Sequence, residues 1–357
     1  MVNFDFPGII LHDRLFSKED LLTHAKQKVQ EDIPGFEKKI YLFILEFLDD
    51  KDYILQNSSG TTGKQKEIKL PKRALIESAK LTTQVLGLKF GDKALLCLSV
   101  DYIAGKMMII RSFVSGLNLF WEEPSSMPVL SRYGKIQFCA MVPLQVFNSF
   151  SNYEFFRNID ILLIGGSEMR SEIKATFRDV QNRTYETYGM SETASHIALR
   201  KISGQNPDKY FKVLPGIKIE KDARGCLVVH VPFLDEPVHT NDLVDIIDES
   251  QFLWLGRYDN IINSGGIKVK PEEIEASIAK VIDADFAIIG LPDEKLGQAI
   301  AIVIESDQQV NEAEIKELLK EILPSNLMPR RFLNIETLPR TSSYKVDRNS
   351  LQGLFAE

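Results

Sequence analysis

Cysteine is scarce in this sequence, with three among 357 residues. Cys97, Cys139 and Cys226 are scattered and odd in number, which suits reduced thiols better than a disulfide framework. None is spaced with histidines as a metal centre would be. Long apolar runs are missing as well: no window approaches the roughly 18 apolar residues of a spanning helix. The opening MVNFDFPGIILHDRLFSKED has no positively charged region before its short apolar run. The expectation is a cytoplasmic protein without membrane insertion. Basic charge is not in excess, since the formal net charge is -7, so the chain has no global attraction to nucleic acid or to an anionic surface. Repeats and low-complexity tracts are absent.

What is present is ordinary globular composition, 44% hydrophobic and 26% charged, in a chain long enough for two or three domains. Helix and strand signals alternate. Residues 17 to 30 open with a capping serine and an acidic first turn, and residues 72 to 86 place apolar side chains at helical spacing. Residues 94 to 100 (ALLCLSV) read as a buried strand; 159 to 167 (IDILLIGGS) as a strand entering a glycine turn; and 185 to 192 (YETYGMSE) as another strand end. This order predicts an α/β core with functional loops at strand ends.

From about residue 212 the texture turns to short β-rich runs, with turns at Asp222 to Gly225 and Asp248 to Ser250. Pro271 then starts a helix with Ile274, Ile278 and Ile282 at one-turn spacing. Strands at 284 to 290, 298 to 305 and 332 to 338 and a helix at 311 to 323 complete a small α+β unit. The predicted organisation is a large N-terminal α/β domain with a β-rich subdomain, residues 1 to 256, a hinge near 257 to 260, and a small C-terminal α+β domain, residues 261 to 357.

The stretch NSSGTTGKQKEIKL, residues 57 to 70, invites a chemical reading. Glycine and threonine let several backbone N–H groups converge without side-chain obstruction, and the hydroxyls and lysines add donors and charge, so the loop suits phosphate. A flexible connection is the alternative for such a stretch taken alone. The spacing from Gly60 to Gly63 fails the pattern of a P-loop NTPase.

Four further segments join that loop, and together they resemble the adenylate-forming superfamily of acyl-CoA synthetases, peptide-synthetase adenylation domains and luciferases. SSGTTGKQK is similar to its phosphate loop, YGMSET (188 to 193) to its adenine and magnesium motif, and TNDL (240 to 243) to its ribose segment. GRYDNIINSGGIKVKPEEIE (256 to 275) is similar to its hinge motif and PRTSSYKVDR (339 to 348) to its C-terminal lysine motif. Five motifs in the family's order, over residues 57 to 348, are far more specific than any one of them.

The resemblance implies Mg2+ as cofactor, ATP and CoA as cosubstrates, and a small-molecule carboxylic acid as the partner substrate. It assigns phosphate contacts to Ser59, Thr61, Thr62, Gly63 and Lys66, the adenine site to Tyr188 and Gly189, and magnesium to Glu192 with Thr62. Oxygen ligands are what that hard cation takes. Asp242 would hold the ribose hydroxyls with Arg257 assisting, although an aspartate after asparagine also suits a plain turn. Lys345 would bridge the acyl carboxylate and the phosphate during adenylation, opposing the repulsion between two anions. The family turns its C-terminal lid about a hinge, here Asp259, to bring another face, with Ser264, Gly265 and Gly266, to thioester formation with CoA. Gly265 and Gly266 also suit an ordinary hairpin turn.

For the acid, Gly165, Gly166 and Ser167 match the family's acyl-pocket loop, and DYIAGKMMIIRS with the short overall length is most similar to the o-succinylbenzoate:CoA ligases of menaquinone biosynthesis. That substrate has a second carboxylate, for which Lys106 or Arg111 would be useful partners; both also suit a role flanking a helix. His196 is open between a pocket-lining and a structural role. Three departures stand out: Gln65 and Glu67 where the family has proline and glycine, Tyr344 where it has glycine, and a first motif so early that the N-terminal lobe is shortened. The last implies a smaller pocket edge or a homo-oligomeric contact in its place. The remaining alternatives are adenylation of another aryl or short acid, loading of a carrier protein, or a non-catalytic adenylate-binding module.

Overall fold

A computed structural model describes residue 6 and residues 8–57, 67–129, 131–149, 154–167, 169, 171–341 and 346–355. Two compact units emerge. The first takes most of the chain up to Lys218 together with Val229–Val238, and the second takes Ile219–Val228 and His239 onward. The hinge segment at 257 to 260 falls inside the second unit.

The first unit is built on β1 (Ile9–Leu11), β2 (Arg14–Phe16), α1 (Lys18–Gln30), α2 (Gly35–Leu48), β3 (Tyr53–Asn57), β4 (Glu67–Pro71), α3 (Lys72–Leu86), β5 (Lys93–Leu96), α4 (Ile103–Ser115) and β6 (Asn118–Trp121). It continues with β7 (Ile136–Met141), three short helices α5 (Pro143–Ser149), α6 (Glu154–Arg157) and α7 (Ser171–Thr176), and the strands β8 (Ile159–Ile164), β9 (Arg183–Met190), β10 (Ser195–Lys201) and β11 (Phe211–Val213). Its sheet runs β11-β10-β9-β8-β7-β5-β6-β1-β2. The strands from β9 to β1 are parallel, and β2, β10 and β11 join antiparallel. From β5 the chain goes first to β6 on one side and then to β7 on the other. That reversal makes a crevice at the carboxyl ends of the strands, the usual ligand position in such sheets.

Local chemistry accounts for the elements. Ser17 caps α1, its Oγ accepting from Asp20 N at 3.1 Å. In α3 the buried face carries Ala74, Leu75, Ala79, Thr82 and Leu86. The central strands are apolar on both faces, as parallel strands covered by helices must be, and Leu95, Cys139, Leu162 and Ile164 pack with Phe156 and Phe177. The thiols of Cys97, Cys139 and Cys226 are free and wholly buried, and Cys97 and Cys139 lie 3.9 Å apart on neighbouring stretches of chain. The strand expected over 94 to 100 ends at Leu96. Beyond it the Gln145 side chain donates to Cys97 O at 2.9 Å, and Ser99 Oγ accepts from Asp101 N, so side chains replace the ladder. Among the described residues no helix is long and apolar enough to cross a membrane.

The second unit holds β15 (Gln251–Arg257) and, apart from the boundary residues Lys218, Val229, His230 and Val238, the strands β12 (Lys218–Lys221), β13 (Cys226–His230) and β14 (Val238–Asp248), ordered β12-β13-β14-β15. It also holds β16 (Ile262–Ser264), β17 (Ile267–Val269), α8 (Pro271–Ile278), β18 (Phe286–Asp293), β19 (Gly297–Glu305), α9 (Glu312–Lys320), β20 (Arg331–Ile335) and α10 (Arg348–Phe355). Here the strands order as β17-β16-β19-β18, with β20 beside β19. Period-two alternation gives this sheet two apolar faces. Ile288, Ile300 and Ile302 pack with Ile274 and Ile278 of α8, while Ile289, Ala301 and Val303 pack with Leu351 of α10. The expected strand over 284 to 290 is shifted to end at Asp293, because pairing with β19 persists to Asp293 opposite Gly297 and Asp293 Oδ1 closes the turn on Lys295 N and Leu296 N.

Candidate active site

The carboxyl ends of β8 and β9 carry two of the expected motifs. Past Ile164 the chain makes the turn of Gly165, Gly166 and Ser167, and Gly165 sits against Thr187 of β9 so closely that a Cβ would lie 2.2 Å from Thr187 Oγ1. Beside it, β9 delivers Tyr188, Gly189 and Met190 and then bends through a short 3-10 turn, Ser191–Thr193. Tyr188 packs against Phe211, ring centres 5.8 Å apart. The turn is tied internally: Thr193 Oγ1 accepts from Met190 N at 3.0 Å and donates to Ser195 O at 2.6 Å, and Ala194 N donates to Ser191 O at 3.0 Å. Ala194 and Ser195 carry positive φ, 56° and 123°, a conformation that L residues adopt only where their surroundings impose it. Gly189 faces the returning strand, where a Cβ would stand 2.4 Å from both His196 Cα and Ser195 O.

This construction presents Glu192 at the tip, exposed and with no hydrogen bond or ion pair to another described residue. The fit to magnesium rests on that carboxylate. Mg2+ is held in nucleotide sites by one or two carboxylates plus substrate phosphates, not by an all-protein cage, and no cluster of three or more acidic, histidine or cysteine ligands occurs among the described residues. An open carboxylate on a rigid turn suits that mode.

Beneath the turn lies a polar cluster that the sequence did not disclose. Arg111 of α4 is 2% exposed. Its Nη2 donates to Ser195 Oγ at 2.9 Å and lies 3.3 Å from His196 Nδ1. His196 Nε2 lies 3.1 Å from Thr82 Oγ1, which donates to Ser78 O at 2.9 Å. Burial, then the Arg111 charge, drives the His196 pKa well below the ordinary 6.5. A second cluster centres on Glu186 of β9, whose carboxylate accepts from Arg200 Nε at 2.8 Å and pairs with Lys174 at 3.0 Å. Partners so distant in sequence leave no spacing signature.

The imidazole makes the fold acid-sensitive in a stated window. Unfolded, His196 takes a proton near pH 6.5; folded, it does not, so its contribution is fully present above that pH and is lost as pH falls below it, at up to about 1.4 kcal/mol per pH unit. His12 and His24 are lowered as well, chiefly by burial, and act with the same sign. Urea unfolding is expected to weaken between about pH 7 and about pH 5, ahead of carboxylate titration, and His196→Asn is expected to flatten that slope. Equal slopes in the two proteins would refute the assignment.

Lys106, also on α4, is buried to 8% exposure; its Nζ donates to Leu55 O at 3.0 Å and lies over the Phe43 ring. Burial lowers its pKa. It lines a cavity of about 480 Å³ together with Lys39, Glu46, Glu67 and Asp101, a mixed lining in which Lys39 pairs with Asp101 at 2.6 Å. Both cations that the sequence offers to a second carboxylate are thus engaged within the protein.

In the second unit, Asp242 and Arg257 come together across β14 and β15, directly opposite in register. Asp242 is 7% exposed; its Oδ1 accepts from Trp254 Nε1 at 3.3 Å and lies 3.6 Å from Arg257 Nη1. Arg257 also grips Asp259 through Nε at 3.0 Å and Nη2 at 2.7 Å, so one guanidinium spans the expected ribose and hinge aspartates. Ser264 opens a two-residue hairpin turn formed by Gly265 and Gly266, φ 58° and 83°, with Ser264 paired to Ile267. Positive φ at both positions is what such a turn demands, so the plain hairpin reading of the glycines is correct and leaves their backbone exposed. Ser59, Thr61, Thr62, Gly63, Lys66 and Lys345 lie outside the described residues.

Comparison with known proteins adds an independent line. Residues 8–229 match the family model described as AMP-binding enzyme. The 2-succinylbenzoate–CoA ligase of Listeria monocytogenes is 27% identical over 390 aligned positions, covering 96% of this chain and 83% of that protein. The protein of the same name from Lactococcus lactis is 25% identical, covering 86% and 72%. Among solved structures, an acyl-CoA synthetase (AMP-forming)/AMP-acid ligase II-like protein from Dyadobacter fermentans is 30% identical, with a TM-score of 0.61 and coverage of 95% of this chain and 99% of that one. The o-succinylbenzoate CoA synthetase of Bacillus subtilis, solved with its acyl-adenylate intermediate, has a TM-score of 0.72 at 22% identity, over 84% and 68% of the two chains, and shares the fold. A family match over more than half the chain, joined to strand ends carrying the expected motifs, leads to one conclusion: this chain belongs to the AMP-binding enzyme family and is an AMP-forming acyl-CoA ligase.

Proposed function

We propose that the acid activated is o-succinylbenzoate, in two half-reactions. Its carboxylate attacks the α-phosphorus of ATP and pyrophosphate leaves; the CoA thiol then attacks the acyl carbon and AMP leaves. The observation that carries this reading is the likeness to 2-succinylbenzoate–CoA ligases along 96% of the chain. Mg2+, when bound, neutralises phosphate charge. In this reading Glu192, with Thr62, holds that ion; Ser59, Thr61, Thr62, Gly63 and Lys66 hold the phosphates; Tyr188 and Gly189 take the adenine; and Asp242 and Arg257 take the ribose. Lys345 serves the adenylation step. Gly165, Gly166 and Ser167 bound the acyl pocket, the lid 261–357 turns at Asp259, and Ser264, Gly265 and Gly266 pass the pantetheine arm of CoA.

The test is pyrophosphate release by purified protein with Mg-ATP and a panel of acids, with and without CoA. Release with o-succinylbenzoate, and thioester only when CoA is added, is the expected result. Release with another aryl or short acid, and none with o-succinylbenzoate, would replace the substrate and keep the chemistry. Adenylate formed without transfer to CoA would direct attention to a carrier protein as acceptor.

A further inference from the structure

We infer that Arg111 is a positioning residue for the turn that presents Glu192, acting through Ser195 and His196 and not on the substrate. The inference rests on the reading of Glu192 as the magnesium carboxylate.

The guanidinium is wholly buried, and no carboxylate pairs with it among the described residues. Its Nε has no hydrogen-bond partner among the described residues. Burying a charge in this way is costly, and an apolar side chain of similar volume would serve packing better. What the cation does hold is informative. Arg111 can only donate, so His196 Nδ1 must accept; the ring proton then sits on Nε2 and is donated to Thr82 Oγ1, whose own hydrogen goes to Ser78 O. Every donor in that relay has one acceptor, which fixes the tautomer and ties α4 and α3 to the first two residues of β10.

The first of these, Ser195, stands with its predecessor on strained backbone. Ser195, at φ 123°, follows Ala194 at φ 56°, and Arg111 Nη2 holds its hydroxyl. Ser195 O is in turn the acceptor for Thr193 Oγ1, one residue from Glu192. Gly189 allows the incoming strand to lie against the same Ser195 O and His196 Cα. Loss of the Arg111 contact therefore frees the residue on which both sides of the turn bear, and the carboxylate at its tip loses its fixed place. Groups hydrogen-bonded directly to a metal ligand typically change metal affinity by about 10- to 100-fold, and a support one step further from the carboxylate is expected at the lower end of that range.

The experiment reads the Mg2+ concentration that half-saturates pyrophosphate release at fixed ATP, beside the KM for the acid and the Tm, in wild type, Arg111→Met, Arg111→Lys, Ser195→Ala, Thr82→Val and Glu192→Gln. Expected are a rise of about tenfold or more in the Mg2+ requirement for Arg111→Met and Ser195→Ala, partial rescue in Arg111→Lys, a smaller rise in Thr82→Val, and an unchanged KM for the acid. The double variant Arg111→Met with Ser195→Ala should be no worse than the stronger single one. A raised acid KM with an unchanged Mg2+ requirement would overturn the inference and make Arg111 a substrate contact. A lowered Tm with unchanged kinetics would overturn it in favour of a purely structural role. Should Arg111→Met fail to fold, Ser195→Ala alone decides the matter by the same criterion. An unchanged requirement in Glu192→Gln would sink the reading of Glu192 itself, whereas an effect there without one in Arg111→Met and Ser195→Ala sinks only the positioning role.

Discussion

Lys345→Ala is expected to slow adenylate formation by about 10²- to 10³-fold while leaving the transfer of a supplied acyl-adenylate to CoA nearly intact. The argument is electrostatic. A carboxylate must approach a triphosphate, and two unit charges about 4 Å apart at an effective dielectric of about 20 repel by roughly 4 kcal/mol. A cation placed between them removes much of that term, and roughly 4 kcal/mol is about a thousandfold in rate. Once the acyl-phosphate bond exists the repulsion is gone, so the second half-reaction does not need the same charge. Rapid-quench measurement of the adenylate, with separate measurement of thioester from preformed acyl-adenylate, resolves the two steps. Equal losses in both would mean that Lys345 supports the lid as a whole and not the first step.

Gly189→Ala should cost about 2–3 kcal/mol of unfolding free energy and, beyond that, impair turnover in the fraction that remains folded. A methyl group there would meet backbone on the antiparallel strand, His196 Cα and Ser195 O, both at 2.4 Å. Backbone cannot rotate aside as a side chain can. Separation of the strands would be felt first by Ser195, which already carries positive φ, and by Thr193, whose hydroxyl bonds its carbonyl. Urea unfolding reports the stability loss, and pyrophosphate release per folded molecule reports the rest. A variant with wild-type stability would show that β9 and β10 can part without penalty.

Much of the fold was legible because its signals are local. The Ser17 cap, the spacing in 72 to 86, the glycine turn after Ile164 and the proline start at 271 each act within a few residues, and the corresponding elements occur. The strand after Leu96 was overread because its end is set by Gln145, which sits 48 residues away. The same distinction applies to the site. Glu192, Asp242 and Arg257 lie in short motifs, so a sequence reading can single them out; Asp242 opposite Arg257 is simply the register of one hairpin. The burial of Arg111 was not readable, since its partners Ser195 and His196 are 84 and 85 residues distant. The role of His196 was open in the sequence; the fold buries it between Arg111 and Thr82. Glu186, Lys174 and Arg200 form an ion cluster for which no motif exists.

The three interior thiols bear on how this enzyme can be studied. Cys97, Cys139 and Cys226 have essentially no surface open to solvent, so an aqueous alkylating reagent reaches them only when the strands around them part. Labelling then becomes a clock for rare openings of the nucleotide-binding half and of the β-rich strands, readable by mass without any engineered probe. Added ATP or acid would slow that clock to the extent that each ligand favours the closed molecule.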